Sequence, residues 1–253
     1  MSRLDDYFVK LILKISKKPE DFKNYLFGEG FRVYNSLVKS DLYDLRQCFI
    51  SQDRLDKFDR FMVDSDKIQI VTEDFIEKIS SLGKAPGIVG LFEKKNSYSN
   101  LDFSTELINE TFILWNITDP GNMGTIIRTA VALNRKEIII IDGCCHYSKK
   151  VIQSSAGTIG HIKILKIAWE DFLLRKSKSI PIYALDADGE NINTIKTNEL
   201  CACYIIIGNE ANGIPDEIIK QADRVISIPM SKNCESLNAA IAASVVGYKS
   251  WNI

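Results

Sequence analysis

Residues 224–248 read RVISIPMSKNCESLNAAIAASVVGY, and this stretch decides the fold of the C-terminal half of the chain. Its β-branched start, Val225 to Ile228, predicts a short buried strand that ends at a proline. After a polar loop, Ser236 is predicted to be the N-cap of a helix, because a serine hydroxyl accepts a hydrogen bond from an N–H two or three residues later. The small residues of that helix, from Ala239 to Gly247, predict close packing against another backbone, within the chain or between chains.

Apolar runs ahead of this stretch predict the other strands of the same sheet. Several are continuous β-branched runs, which are typical of parallel strands buried on both faces. Helices predicted between them make a three-layer α/β domain. The predicted strands are 112–116, 137–142, 162–167, 182–186, 204–208 and 225–228, and the predicted helices are 125–133, 149–155, 169–176 and 215–222.

Polar loops follow two of these strands, at the sheet edge where α/β proteins bind ligands. In the first loop, DPGNMG, Asn122 lies in the turn, and Arg128 is predicted to lie one turn into the helix that follows. In the second, GNEANG, Glu210 lies between two glycines whose bare backbone can line a pocket. From the residues alone, Asn122 and Glu210 could equally be helix caps, and Arg128 could form an ion pair.

Taken in order, the three segments resemble the motifs of the SpoU/TrmH class of SPOUT RNA methyltransferases, over about residues 112–248. The resemblance implies a C-terminal SPOUT domain with a deep trefoil knot, a homodimer with the knotted region at its interface, and methyl transfer from S-adenosylmethionine to a ribose 2′-hydroxyl of RNA. The residues implied to surround the acceptor ribose as catalytic residues are Asn122, Arg128, Glu210, Ser236 and Asn238. Those whose backbone is implied to enclose S-adenosylmethionine are Gly208, Ile228, Met230 and Leu237.

The motifs contain no histidine, so Arg128 and Glu210 are the ionisable candidates for activating the hydroxyl. A guanidinium has a pKa above ~12 and donates only. We therefore expect Arg128 to clamp a phosphate and stabilise the developing alkoxide. Asn122 and Asn238 would position the ribose, and Glu210 would hold the ribose or Arg128. No residue is assigned as the general base.

The N-terminal half predicts a small α/β domain over residues 1–97, joined by a polar linker at about 95–105 to the methyltransferase domain over 105–253. It begins with an amphipathic helix rather than a signal peptide. Ahead of a SpoU-type domain, this half resembles an RNA substrate-binding domain similar to certain ribosomal proteins. The alternative is a domain that only packs against its neighbour. A lysine cluster in this half is either an RNA contact or a solvated face: Lys10, Lys14, Lys17, Lys18 and Lys23.

Composition narrows the remaining function classes. No apolar run approaches the ~18 residues of a membrane span, and the six cysteines and two histidines lack metal-site spacing, which predicts a cytoplasmic protein with reduced thiols and no metal. The first strand is not followed by GxGxxG, which argues against a nucleotide-binding dehydrogenase. The expected partners are therefore RNA, with ribosomal RNA ahead of transfer RNA, and a second copy of the chain. A non-catalytic RNA-binding or ribosome-assembly protein on the same fold is the alternative.

Overall fold

The computed structural model describes residues 6–58, 63–80, 82, 86–95, 110–200 and 202–251. The predicted linker falls mostly outside these ranges. Two units are distinguished by their internal packing: residues 1–100 with 145–161, and residues 101–144 with 162–253. The predicted domain bounds, 1–97 and 105–253, stay a prediction. No helix among the described residues has the length and apolar character to cross a membrane.

The first unit is built on a four-stranded mixed sheet of order β1-β4-β2-β3. Strand β4 pairs antiparallel with β1 and β2, and β2 pairs parallel with β3. The amphipathic helix α1 buries Ile12 and Ile15 in the core beside Phe27 and Phe49. Thr72 caps α3, where its side chain accepts from the N–H of Phe75. The elements are α1 (Asp6–Lys17), β1 (Tyr25–Glu29), α2 (Phe31–Val38), β2 (Tyr43–Ser51), β3 (Ile68–Val71), α3 (Glu73–Ile79) and β4 (Ile88–Lys94).

The second unit is built on a six-stranded sheet of order β10-β8-β9-β5-β6-β7, in which every described pair is parallel. Its central strand β9 is completely buried and β5 is buried except at Trp115, as their apolar runs predict. The elements are β5 (Thr111–Trp115), α4 (Pro120–Ala132), β6 (Glu137–Ile141), β7 (Lys163–Lys166), α6 (Trp169–Arg175), β8 (Ile182–Asn191), α7 (Thr197–Leu200), β9 (Tyr204–Ile207), α8 (Asp216–Ile219), β10 (Arg224–Ser227) and α9 (Ala239–Lys249). Helix α5 (Lys149–Ser154) follows β6 in sequence but belongs to the first unit.

The α/β fold with a parallel sheet is confirmed, and two helix starts differ from the prediction. Helix α4 begins at Pro120 rather than near Thr125, because the side chain of Asp119 caps it by accepting from the N–H of Asn122. The prediction that Ser236 caps the last helix is wrong. Asn238 is the N-cap of α9, and its side-chain oxygen accepts from the N–H groups of Ala240 and Ile241 at 2.9 and 3.3 Å.

Residues 145–161 connect β6 to β7 in sequence, yet they pack within the first unit. Their anchor is a buried ion pair between Lys149 Nζ and Glu29 Oε1, 3.1 Å apart, with Lys149 also lying 4.5 Å from the centre of the Phe27 ring. Gln153 Nε2 donates to the carbonyl oxygen of Glu29 at 2.9 Å. Lys149 is therefore a structural residue of this unit rather than part of a solvated basic face.

Candidate active site

A cavity of about 230 Å³ lies beside the carboxyl ends of β9 and β10 and the middle of β8. Its walls come from the loop after β9, from the loop between β10 and α9, and from the first turn of α9. All four residues predicted to enclose a cofactor line it: Gly208, Ile228, Met230 and Leu237. Ser236 and Glu210 line it as well, so the cavity brings together residues of the second and third motifs.

The loop after β9 closes tightly on itself. Asn209 and Gly213 exchange two backbone hydrogen bonds, at 3.1 and 3.0 Å, and Gly213 has a positive φ of 63°. At Gly208, a side chain would come within 2.6 Å of the Gly213 backbone, so only glycine permits this return of the chain. These two hydrogen bonds fix the conformation of the loop, and the loop holds Glu210 at the mouth of the cavity.

A chain of side-chain hydrogen bonds joins one residue of each motif. Asn238 Nδ2 donates to Asn122 Oδ1 at 2.8 Å, and Asn122 Nδ2 donates to Glu210 Oε1 at 2.8 Å. The groups at the two ends of this series of hydrogen bonds fix the orientation of both amides. The oxygen of Asn238 must face the N–H groups of α9, and the carboxylate of Glu210 can only accept. The three motifs thus form one polar site.

Glu210 is held as a carboxylate by the donors around it. Its Oε2 accepts from Thr118 Oγ1 at 3.3 Å and from the Thr118 N–H at 3.4 Å. Partial burial acts to raise the pKa of Glu210, but the hydrogen bond from Asn122 and those from backbone N–H groups outweigh it and hold the pKa below its ordinary value. The Glu210 carboxylate therefore accepts hydrogen bonds from Thr118 and Asn122 and does not cap α8.

Replacing this carboxylate tests its ionised state. Because the pKa of Glu210 is depressed on folding, the carboxylate stabilises the fold above its unfolded pKa of ~4.3, and this stabilisation is lost as the pH falls through the lower folded value. We expect Glu210→Gln to lower the melting temperature by a few degrees at pH 7. The difference from wild type should shrink as the pH falls below the unfolded pKa and vanish once the pH is below the folded pKa. Thermal unfolding from pH 3 to 8 measures it; a difference independent of pH would contradict it.

Arg128 stands apart from this network. It lies on α4, eight residues after the first residue of the helix rather than one turn in, and its side chain is exposed. Among the residues that the structure describes, none forms an ion pair or hydrogen bond with its guanidinium. Within the described residues Glu210 therefore does not hold Arg128, and the side chain of Arg128 is exposed to solvent.

The structure adds residues that the sequence reasoning missed. Thr118 lies immediately before the first motif loop, DPGNMG, and donates to Glu210, although a threonine there gave no signal by itself. Asp186 and Glu235 line the cavity with Leu185 and Ala187. The position of residues 185–187 at the end of the predicted strand 182–186 was the available signal. Within the described ranges, no group of three His, Cys, Asp or Glu side chains is placed to hold a metal ion.

Comparison of the fold with solved structures identifies the class of protein. An rRNA methyltransferase from Sinorhizobium meliloti, solved with AdoMet bound, superposes with a TM-score of 0.80 at 25% identity, over 99% of this chain and 96% of that one. A putative RNA methyltransferase of the TrmH family from Porphyromonas gingivalis shares the fold, with a TM-score of 0.81 at 21% identity over 98% of each chain. The class is that of the α/β RNA methyltransferases.

Sequence comparison narrows the class to a family. The model of the SpoU rRNA Methylase family matches residues 109–248, and the chain belongs to this family. It is 25% identical to the 23S rRNA (guanosine-2′-O-)-methyltransferase RlmB of Neisseria meningitidis over 231 residues, covering 86% of this chain and 91% of RlmB. It is 29% identical to the 23S rRNA 2′-O-methyltransferase RlmP of Bacillus subtilis over 52% of this chain, and the match spans about half of RlmP (54%). The predicted family is confirmed.

Proposed function

We propose that this protein transfers a methyl group from S-adenosylmethionine to a ribose 2′-hydroxyl of ribosomal RNA. The observation that carries the proposal is the hydrogen-bonded chain from Asn238 through Asn122 to Glu210 at the mouth of the cavity. Family membership agrees with it, as do relatives named as 23S rRNA 2′-O-methyltransferases and a full-length structural neighbour solved with AdoMet. The predicted enzyme class and cofactor are those of these proteins.

The cavity fits the proposed cofactor. S-adenosylmethionine has an apolar purine face and carries positive charge on its sulfonium and ammonium groups, and when bound it supplies the electrophilic methyl group. Apolar side chains of Ile228 and Leu237 line the cavity, together with the carboxylates of Asp186 and Glu235. A bare backbone at Gly208 leaves room for close approach.

Each polar residue at the mouth of the cavity is proposed to have its own role in the reaction of the acceptor ribose. Asn122 and Asn238 would position the ribose, with Ser236 lining the cavity beside them. A carboxylate whose pKa is lowered is a weak base, so Glu210 is better suited to orienting Asn122 than to removing the hydroxyl proton. The exposed guanidinium of Arg128 would clamp a phosphate and stabilise negative charge on the attacking oxygen.

The first unit is proposed to bind the RNA substrate. It has its own sheet and core, as an independent binding module requires. Helix α1 buries its apolar side and leaves its lysines in solvent, which suits contact with phosphates. Ribosomal RNA is favoured over transfer RNA because RlmB, whose name specifies 23S rRNA, aligns with 86% of this chain. Action on ribosomal RNA is consistent with the cytoplasmic location predicted from the sequence.

A deep trefoil knot in the second unit is part of the same proposal. Strand β10 lies at one edge of the sheet, but α9, which follows it, packs on α4 and on the central strand β9, and it reaches Phe112 of β5. There a side chain at Gly247 would come within 2.8 Å of the Phe112 ring. The chain therefore returns from an edge to the middle of the sheet, as the threading of a knot requires.

A homodimer through α9 is the proposed assembly. Three large side chains spaced at helical intervals are exposed on this helix: Ile241 (53%), Val245 (40%) and Tyr248 (70%). Positions three and four residues apart lie on one helix face, so these side chains form a continuous apolar stripe. Exposed apolar stripes mark interaction surfaces more often than isolated residues do.

A charge in this stripe is expected to separate the subunits. Val245→Glu should raise the dissociation constant of the dimer by about 30-fold or more, the equivalent of losing an interface residue worth ~2 kcal/mol. Sedimentation velocity over a concentration series measures it. Leu174→Glu is the matched control, because Leu174 is 84% exposed on a different helix, α6, and should leave the dimer intact. A wild-type protein that is a stable, active monomer would contradict the proposed assembly.

Methyl transfer itself is tested with labelled donor. The protein is incubated with S-adenosylmethionine carrying a tritiated methyl group and with ribosomal RNA, and the RNA is digested to nucleosides. Label in a 2′-O-methylnucleoside is the expected result. Label in a base would contradict the proposed acceptor, and RNA binding without transfer would favour the non-catalytic alternative. Mapping 2′-O-methyl positions in cells with and without the gene identifies the nucleotide.

A further inference from the structure

Asn209 joins the second motif loop to the first. Its side-chain Nδ2 donates to the carbonyl oxygen of Asn116 at 2.7 Å, which lies in the segment just after β5. Its Oδ1 accepts from the N–H groups of Ala211 and Asn212, at 2.9 and 3.0 Å, within its own loop. One amide therefore shapes the loop that carries Glu210 and ties that loop to its neighbour.

The residue that receives this bond has an unusual backbone. Asn116 has a φ of 48°, in the left-handed region, and its N–H donates to the carbonyl oxygen of Ile141 on β6 at 2.8 Å. A non-glycine residue in this conformation persists only where its surroundings hold it. Two residues later, Thr118 donates to Glu210. The Asn116 to Asn209 bond thus sets the distance between Glu210 and one of its donors.

We propose that Asn209 is a positioning residue for the methyl transfer, acting through Glu210. This inference rests on the proposed function. Asn209 is half-buried, lines the cavity, and has its Nδ2 3.5 Å from Glu210 Oε2, so it controls where the carboxylate lies. Glu210 in turn orients Asn122 and, through it, Asn238. A displaced loop would misplace the polar groups at the acceptor site without removing any of them.

Asn209→Asp is the sharpest test, because it keeps the shape of the side chain and the acceptor for the two loop N–H groups. It replaces the donor to Asn116 by a negatively charged oxygen that faces a carbonyl oxygen and the Glu210 carboxylate. We expect kcat to fall by up to about 100-fold, as small misplacements in active sites do. The KM for S-adenosylmethionine should change by less than threefold.

The matched control is Asn212→Asp, which adds the same charge in the same loop. Asn212 is exposed and takes part in the loop through its backbone N–H. It should keep wild-type kcat and KM. A second readout that needs no activity is the pKa of Glu210, followed by carbon-13 NMR of the carboxylate. The pKa should rise in Asn209→Asp, because of the adjacent like charge, and stay near the wild-type value in Asn212→Asp.

Each outcome of these measurements decides the inference. A fall in kcat and a rise in the Glu210 pKa in Asn209→Asp alone support it. Wild-type kcat in Asn209→Asp would overturn the positioning role and leave the proposed function standing. A loss confined to melting temperature and S-adenosylmethionine affinity would make Asn209 a structural residue only and also overturn it. A wild-type protein that transfers no methyl group to RNA would overturn the function and the inference together.

Discussion

Arg128→Ala is expected to lower kcat by about 10²–10³-fold while S-adenosylmethionine binds with close to wild-type affinity. The guanidinium is exposed on α4 and has no protein partner within the described part of the chain, so it is available to a phosphate or to a developing alkoxide. Arg128 is also absent from the residues that line the cavity within the described chain. Its removal should therefore affect the acceptor and not the methyl donor. Single-turnover kinetics and donor-binding calorimetry separate these two effects.

Two further variants sharpen the test of Arg128. Arg128→Lys keeps the charge but loses the planar fork of donors, so it should recover part of the activity if charge stabilisation dominates and little if bidentate phosphate binding dominates. Arg175→Ala is the matched control, since Arg175 is an exposed arginine in the last turn of α6. Loss of donor affinity to the same degree as kcat in Arg128→Ala would remove Arg128 from the acceptor site.

The strands of the second unit could be predicted closely because they contain apolar, often β-branched runs, most clearly the isoleucine runs of β6 and β9. Runs of this kind are typical of buried parallel strands, and the strand bounds differ from the prediction by a residue or two, except in β8. That strand continues past a register shift to Asn191, with Gly189 against the backbone of Ile226. Nothing in local sequence signals this extension, because it depends on the neighbouring strand.

The composition of the site could be predicted, but its internal connections could not. Motif order placed Asn122, Glu210 and Asn238 at one sheet edge, and the structure joins them by hydrogen bonds. The N-cap of α9 was predicted at Ser236 and lies at Asn238, because residue type alone does not show where the preceding loop ends. Thr118 and Asn209 form hydrogen bonds with partners 92 and 93 positions away in sequence, and no local sequence pattern indicates such contacts.

A buried ion pair holds the C-terminal end of α9, whereas Asn238 caps its first turn. Arg135 and Glu110 form an ion pair with side chains 1% and 0% exposed. The same Arg135 Nη2 donates to the carbonyl oxygen of Gly247 at 3.0 Å and lies 3.2 Å from Ser250 Oγ. This cluster attaches the end of α9 to the start of β5. Both ends of α9 are therefore held by polar side chains, Asn238 at its start and Arg135 at its end.

Arg135→Met is accordingly expected to destabilise the protein by about 3–5 kcal/mol, because Glu110 would be left as a buried charge without its counter-ion. Urea denaturation measures the loss. The double variant Glu110→Leu with Arg135→Met removes both charges and should recover most of it, since apolar replacement of a whole buried pair is often neutral. Arg32→Met, at an exposed arginine of α2, is the control and should stay within about 0.5 kcal/mol of wild type. A double variant no more stable than Arg135→Met would show that the hydrogen bonds to α9, and not the buried charge, hold this end of the helix.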